Sequence, residues 1–415
     1  MSVVNAAILG FGTVGEGVYR TIQSHQEELE AALGKPVKVV AVLVKNEHKS
    51  REIETDVLVT TEIEEIFNLP DLHVIFEAIV DKEPSFTYLK QAIAKGCHVI
   101  TANKEMFCYH GQELLDLAQK QRVGVGYEAS VAGGIPIIQT LQQLLNINNV
   151  TAIQGILNGT SNFILTEMRE QKQSFEAALA LAQQKGYAEA DPGNDIYGCD
   201  AFYKLMILSG LVFGEQPDLK SVKINGITGI TLEQIELADQ WGLRFKHLAS
   251  IEKKQERLHA SVTPVLVSQS HPLYHVEGVD NAVNVTGDLV GDITLQGPGA
   301  GMYPTASAMV EDLVHVLQKP AGEKARNKAA SKIIKENGEQ DASYWLVSNI
   351  KQEQLSNAGI DFEQLEESFF AAKASPAQIE QLKEQEDGTT VYYPIVGTFE
   401  LKNEHKETHL IGAHG

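Results

Sequence analysis

The sequence predicts an α/β protein in which a doubly wound parallel sheet is followed by a central α+β region and a small C-terminal α+β unit. Three observations predict it. Short apolar runs alternate with amphipathic stretches from Val3 to Ile100, a GFGTVG loop joins the first run to the first helix, and the order becomes mixed beyond Ile135. Parallel strands need crossover helices, so strand and helix taken in turn are their signature. At 415 residues the chain also exceeds what one hydrophobic core serves, and two or three domains are expected.

The elements follow in order. VVNAAIL, VKVVAVLV, HVIFEAIV and CHVIT read as strands, with helices after Gly15 and over residues 88–95. From Ile135 the segment IPIIQTLQQLL reads as a helix, and VTAIQGIL and LHASVTPVLV read as strands of the central region. Residues 303–317 form one more helix, which returns to the first domain. The expected division is a nucleotide-binding domain over 1–134 completed by 300–318, a central domain over 135–299, a polar linker over 319–341 and an appendage over 342–415. In the appendage SYWLV and TTVYYPIVGTFE read as strands, and residues 362–369 and 376–383 as helices.

Composition narrows the partners. Fifty-five acidic against 34 basic residues give a net charge of −21, which repels nucleic acid and acidic membranes and favours small-molecule ligands. No apolar run reaches the roughly 18 residues of a membrane helix, and the start MSVVNAAILG lacks the basic region of a signal peptide. A cytoplasmic protein is expected. Cys97, Cys108 and Cys199 show no CxxC spacing and suit a reducing compartment, and the 13 histidines include no HExxH pair, so no zinc site is expected.

The GFGTVG loop spans Gly10, Phe11, Gly12, Thr13, Val14 and Gly15, after a strand and before a helix. Glycine at Gly10 permits a tight turn, Gly12 lets a pyrophosphate approach the backbone, and Gly15 allows close helix packing; the helix N-terminus attracts the anion. In this setting the loop predicts a Rossmann-type dinucleotide site. Where an NAD-binding protein places an acid at the end of the second strand, this chain has Lys45, with Lys49 and Arg51 close behind. A cation there suits the 2′-phosphate of NADP, with NAD the alternative; a lysine pointing to solvent is the competing reading.

Thr101, Asn103 and Lys104 follow the CHVI strand and so stand at its carboxyl end, the edge that faces the ligand crevice in open parallel sheets. Lys104 fits either an active-site cation or a helix-surface lysine. Further on, Glu189, Asp191, Asp195 and Asp200 crowd a loop, and between Ala201 and Gly214 the sole charge is Lys204, in a mostly apolar helix. Such a helix is buried. Lys204 then lies one turn from Asp200 on the same face. That pair suits a tunable proton donor for a carbonyl gaining negative charge, and equally a structural buried ion pair. The loop acids read as ligands for an ammonium-bearing substrate or as a solvated charge run. EASVAGGIPII and QGPGAGMYPTASAM are glycine-rich turns before helices.

Together these motifs, with GILNGTSNFILTEM and the pattern D-x-x-G-x-D-A-x-x-K after GYAEADP, resemble homoserine dehydrogenase from about Ala6 to Leu317. The resemblance implies NADP-preferring reduction of L-aspartate 4-semialdehyde to L-homoserine, within threonine and methionine biosynthesis, by a dimer joined through the central sheet. It implies Lys204 as proton donor, Asp200 holding it, and Lys104 assisting. Glu189 and Asp195 would meet the substrate amino end, with Asn158, Gly159 and Thr160 bordering nicotinamide and substrate, and Gly301 closing over the cofactor. Glu128, Val131, Gly133 and Ile135 match a structural site for a monovalent cation, sodium, held mainly by backbone carbonyls.

Two departures stand out. The family's Gly-Gly after the third-strand segment is replaced in FEAIVDKEP, which puts nicotinamide-side contacts at residues 78–81 in question. The tail lacks the turn of a ligand-sensing ACT domain, so a degenerate ACT-like unit without assured threonine inhibition is expected. No kinase-like extension precedes the nucleotide fold, against a bifunctional aspartokinase fusion. Aspartate-semialdehyde dehydrogenase needs a nucleophilic cysteine that none of the three supplies. A sensor binding NADP without turnover would leave Lys204 a purely structural role.

Overall fold

The computed structural model describes residues 3–254, 257–318, 342–384 and 390–401. Its first sheet holds β1 (Val4–Leu9), β2 (Val37–Leu43), β3 (Leu58–Thr60), β4 (Leu72–Glu77), β5 (His98–Thr101) and β6 (Val125–Gly126), all parallel, in the order β3-β2-β1-β4-β5-β6. That is the doubly wound order with its switch point between β1 and β4. The period of two along the strands decides which residue meets which helix layer. Ala6 and Ile8 of β1 face one way with Val74 and Phe76 of β4, towards α1 (Thr13–Ser24) and α2 (Gln26–Leu33). Ala7, Leu9 and Ile75 face the other way, towards α3 (Ile63–Phe67), α4 (Lys82–Ala94) and α5 (Lys104–Gln121).

The second sheet is built from α6 (Ile137–Leu144) onward. It contains β7 (Val150–Ile156), β8 (Lys223–Ile224), β9 (Leu243–Lys254), β10 (Arg257–Ser268), β11 (Asp280–Gly287) and β12 (Gly291–Pro298). Its helices are α7 (Gly159–Glu170), α8 (Phe175–Gln184), α9 (Gly193–Ile196), α10 (Cys199–Phe213) and α11 (Leu232–Gln240). α10 is the apolar helix foreseen, and Leu205, Met206 and Leu208 bury against Ile153, Ala249 and Val283 of the sheet in the same cluster that receives α5. One continuous core therefore joins the two domains and fixes the crevice between them.

The chain then returns. α12 (Met302–Gln318) packs Met309 and Leu313 into the layer beside α1, so close that a Cβ on Gly17 would stand 2.8 Å from Met302. The tail carries β13 (Ser343–Ser348), α13 (Gln352–Asn357), β14 (Asp361–Glu366), β15 (Phe369–Ala374), α14 (Pro376–Glu384) and β16 (Val391–Val396), a β-α-β-β-α-β unit with its own small core around Val347, Ile379 and Leu382. β16 pairs in parallel with β10, so the tail extends the central sheet to ten strands among the described residues.

One expectation is corrected here. Residues 362–369, read as a helix, form most of the β14–β15 hairpin, with Phe362 opposite Ala372 and Gln364 opposite Phe370. In DFEQLEESFF Phe362 and Leu365 are three apart, as in a helix, while Phe362 and Gln364 alternate with Asp361 and Glu363, as in a strand, and cross-strand pairing decided it. The helix lies earlier, at α13. The linker expected over 319–341 lies outside the described residues.

Candidate active site

The glycine loop behaves as its spacing demands. Gly10 has φ +92°, and a Cβ there would meet Ala78 O at 2.8 Å; a Cβ on Gly15 would overlap Gly10 O at 1.9 Å. Gly12, by contrast, faces open space and caps α1, whose first-turn amides follow at Thr13, Val14 and Gly15. Backbone donors at a helix start with no side chain in front of them fit a pyrophosphate. Phe11 turns back on Tyr19 with ring centroids 5.8 Å apart. Lys45 is exposed two residues beyond Leu43, whose carbonyl accepts the Gly10 amide at 3.0 Å. The cation therefore stands beside the loop.

The neighbouring wall is locked by a residue the sequence did not flag. Glu77, fully buried at the end of β4, accepts from Thr101 Oγ1 at 2.5 Å, Ile79 N at 2.7 Å and Ser85 Oγ at 3.0 Å. Asn103 caps α5 by accepting the Met106 amide and donates to the carbonyls of Ile79 and Asp81. Thr101 and Asn103 were expected to touch a cofactor. Their side chains are instead buried and taken up in shaping the loop over residues 78–81.

Burial pushes the Glu77 carboxyl up to about 7, against the lowering effect of the Thr101, Ile79 and Ser85 donors. A folded pKa above the unfolded value of about 4.3 favours the protonated, folded form, so this stability is present below pH 4.3 and is lost as pH rises through 7. The loss is on the order of 3 kcal/mol. Glu77→Gln, which keeps a neutral polar group in place, is expected to flatten that decline; denaturant midpoints of both proteins from pH 5 to 8 measure it.

The catalytic candidates meet where α5, α7 and α10 begin. Lys104 opens α5, and its Nζ lies 2.8 Å from Asp200 Oδ1; Lys204 Nζ lies 2.7 Å from Asp200 Oδ2 and donates to Leu157 O at 2.6 Å. Asn158 caps α7 through Ser161 N and donates to Asp200 Oδ2 at 2.9 Å and Asp195 Oδ1 at 2.6 Å. Asn281, wholly buried, donates to the same Leu157 carbonyl at 2.9 Å. Lys204 is 8% exposed and the Lys104 side chain 45% exposed, so one ammonium is sheltered and the other reaches into the crevice.

The electrostatics follow from that geometry. Burial raises Asp200, but the Lys104 and Lys204 ammoniums outweigh it and hold its carboxyl well below the usual range. Burial pulls the Lys204 ammonium down, with Asp200 opposing and Lys104 adding to the fall. The same carboxylate holds Lys104 above its ordinary value, and burial raises Asp195. A desolvated ammonium with lowered pKa is the better proton donor.

The two halves of the site are contiguous. Gly10 abuts Ala78 and Ile79, Ile79 is held by Asn103, and the next residue, Lys104, grips Asp200. Glu189 is exposed on the rim, near enough to favour the charged form of Lys104. A Cβ on Gly159 would stand 2.5 Å from Val279 O, so the close approach of the two backbones there requires glycine. Thr160 is buried and donates to Tyr187 O at 2.6 Å, so its hydroxyl supports the loop rather than facing a ligand. Asn281, Leu157 and Glu77 were missed, because a strand-end asparagine, a backbone carbonyl and an acid inside an apolar run carry no local signal.

The two glycine-rich turns interlock. A Cβ on Gly133 would stand 2.5 Å from Gly299, Gly134 N donates to Pro298 O at 3.0 Å, and Gly301 follows with φ +121°. Both Glu128 carboxylate oxygens accept amides at the start of α6, from Ile138 at 2.6 Å and Gln139 at 2.9 Å. Its side chain thus answers a helix terminus. The carbonyls of Glu128 and Ile135 accept amides from Val131 and Ile137, while those of Val131 and Gly133 accept none among the described residues. No group of three or more His, Cys, Asp and Glu side chains among the described residues is placed to hold a metal, and no helix there is long and apolar enough to cross a membrane.

Comparison with known proteins bears on this geometry. Residues 10–128 match the family model for the homoserine dehydrogenase NAD-binding domain, and residues 136–314 match that for homoserine dehydrogenase. Homoserine dehydrogenase of Bacillus subtilis is 41% identical over 77% of this chain and 74% of its own. The crystal structure of a homoserine dehydrogenase from Thiobacillus denitrificans superposes with TM-score 0.85 at 32% identity, over 95% of this chain and 99% of that one. A hyperthermophilic archaeal homoserine dehydrogenase in complex with NADPH superposes at 0.67 and 27% identity, over 78% of this chain and all of that one. A dinucleotide loop joined by direct contacts to a buried lysine–aspartate pair, on this fold and at this identity, makes the chain a member of the homoserine dehydrogenase family, an NAD(P)-dependent oxidoreductase.

Proposed function

We propose that this chain catalyses the reversible NAD(P)H-dependent reduction of L-aspartate 4-semialdehyde to L-homoserine, with Lys204 as proton donor, in the cytoplasmic synthesis of threonine and methionine. The observation that carries the reading is the Lys104–Asp200–Lys204 chain, which ties a sheltered ammonium through Lys104 and its neighbour Asn103 to the wall that abuts the glycine loop. The bound dinucleotide supplies a hydride to the aldehyde carbon. As the carbonyl oxygen gains charge, Lys204 Nζ gives it a proton, while Asp200 and the Leu157 carbonyl orient that amine. Lys104, exposed toward the crevice, offsets the developing charge. Glu189 and Asp195 are assigned to the substrate ammonium, beside the Asn158 amide and the Gly159 backbone. NADPH oxidation that depends on aspartate semialdehyde tests the reaction; nucleotide binding with no turnover on that aldehyde would overturn it.

NADP is the preferred cofactor in this reading, through Lys45, and the NADPH complex of the archaeal relative supports it. Lys45→Ala is expected to raise KM for NADP about tenfold, the worth of one charge-assisted contact, and to leave KM for NAD unchanged. A parallel rise for both cofactors would remove the 2′-phosphate role. The carbonyls of Glu128, Val131, Gly133 and Ile135 are assigned to a structural sodium ion, since uncharged oxygens suit a hard monovalent cation. We assign the homodimer interface to the central sheet, and the edge position of β12 with Leu289 before it 69% exposed supports that assignment.

A further inference from the structure

The C-terminal unit meets the central domain along a seam that opens into a cleft. β10 is paired with β8 at Ser261 and Val262 and with β16 at Leu266 and Val267. Between those pairings the start of β16 diverges from β10 and leaves a cavity of about 620 Å³. Its walls include Lys223 of β8, Ser261 and Thr263 of β10, Trp345 of β13, Lys383 of α14 and Tyr392 of β16. The volume lies within the range of small-ligand pockets, and aromatic faces beside a few polar groups are the usual lining of one.

The charge of the lining is unlike that of the chain. The protein carries a net −21, yet the cleft presents two ammoniums and no carboxylate among its described lining residues. Lys383 pairs with Glu380 at 2.7 Å and lies 5.6 Å over the Tyr392 ring. Burial pulls Lys223 down and the Lys383 ammonium adds to the fall, while the Glu380 carboxylate, paired with Lys383, opposes it. One carboxylate against two ammoniums leaves a net positive charge beside the hollow, which an anion between the lysines offsets. The floor of the cleft backs onto the catalytic loop: a Cβ on Gly226 would stand 2.4 Å from Ile196 O, which also accepts Ile227 N at 2.9 Å, one residue from Asp195.

We propose that this cleft is a binding site for a small organic anion, its carboxylate or phosphate held between Lys223 and Lys383 and its planar body against Trp345 and Tyr392. The site is separate from the nucleotide crevice and uses walls from both units. Calorimetric titration of the full chain, saturated with NADP so that the glycine loop is filled, tests it with three probes: inorganic phosphate, benzoate and phenyl phosphate. One phenyl phosphate per chain is expected to bind, more tightly than inorganic phosphate, and the stronger of phenyl phosphate and benzoate identifies the head group.

The double variant Lys223→Gln/Lys383→Gln is expected to weaken that binding at least about tenfold, the loss of charge-assisted contacts, with homoserine oxidation unchanged. Trp345→Phe is expected to weaken phenyl phosphate and leave inorganic phosphate as it was. Equal affinity in the double glutamine variant, or no saturable heat with any of the three probes, overturns the proposal.

Discussion

Lys204→Met is expected to lower kcat for homoserine oxidation by about 100- to 10,000-fold, the range in which a positioned proton-transfer group contributes. Methionine has nearly the length of lysine and suits the apolar surroundings of α10, where Leu205, Met206 and Leu208 are buried alongside. The contacts left behind are served. Asp200 keeps Lys104 at 2.8 Å and Asn158 at 2.9 Å, and the Leu157 carbonyl keeps Asn281 at 2.9 Å. Folding and NADP affinity should therefore hold while the chemical step fails. Steady-state rates set beside a fluorescence titration of NADPH separate the two, and a Lys204→Met protein that turns over at the wild-type rate removes the proton donor from the mechanism.

Asp200→Ala is expected to have the second largest effect, on stability and on the pH profile together. The carboxylate is shared by two ammoniums, and one of them, Lys204, is sheltered in the helix. Removing one partner of a buried pair leaves a charge without compensation, at a cost of about 3–5 kcal/mol.

The sign with pH follows from the lowered carboxyl. Its folded pKa lies below the unfolded value of about 3.9, so its contribution is present above that pH and fades as pH falls through the folded value. The deficit of the alanine variant should then be largest near neutrality and shrink in acid. Lys204, deprived of the main group that opposes its burial, should lose its proton at lower pH and move the alkaline limb of kcat for aldehyde reduction downward. Denaturant midpoints at pH 3 and pH 7 and a pH–rate series check both; a variant deficit that grows toward acid contradicts the pairing.

Much of this was legible in one dimension. The parallel sheet shows in VVNAAIL and HVIFEAIV because strands covered on both faces are apolar throughout, and burial of β1 and β4 bears that out. The glycine loop is legible because its demands are local: a positive φ at Gly10 and a carbonyl 1.9 Å from where a side chain on Gly15 would begin. Lys204 is legible because a lone charge in a greasy helix is rare enough to need a reason. Less could be read from Thr101, Asn103 and Thr160. Their positions at strand and helix ends are those of ligand-facing residues, yet each spends its polar atoms on a neighbouring loop, and that choice depends on chain far away in sequence.

Local periodicity and backbone sterics were therefore enough to assign the nucleotide fold, the loop that opens it and the helix that carries the lysine, since each rests on residues within one or two turns of each other. The meeting of Lys104 with Asp200 joins residues from two domains, as do the interlocked turns at Gly133 and Gly299, and the shared Leu157 carbonyl joins segments of the central domain far apart in sequence. The β14–β15 hairpin too was decided by pairing, since the same six or seven residues suit either period until a partner strand arrives. Packing selected among these options, because the energy that separates them comes from contacts between distant segments rather than from the conformational preference of any one.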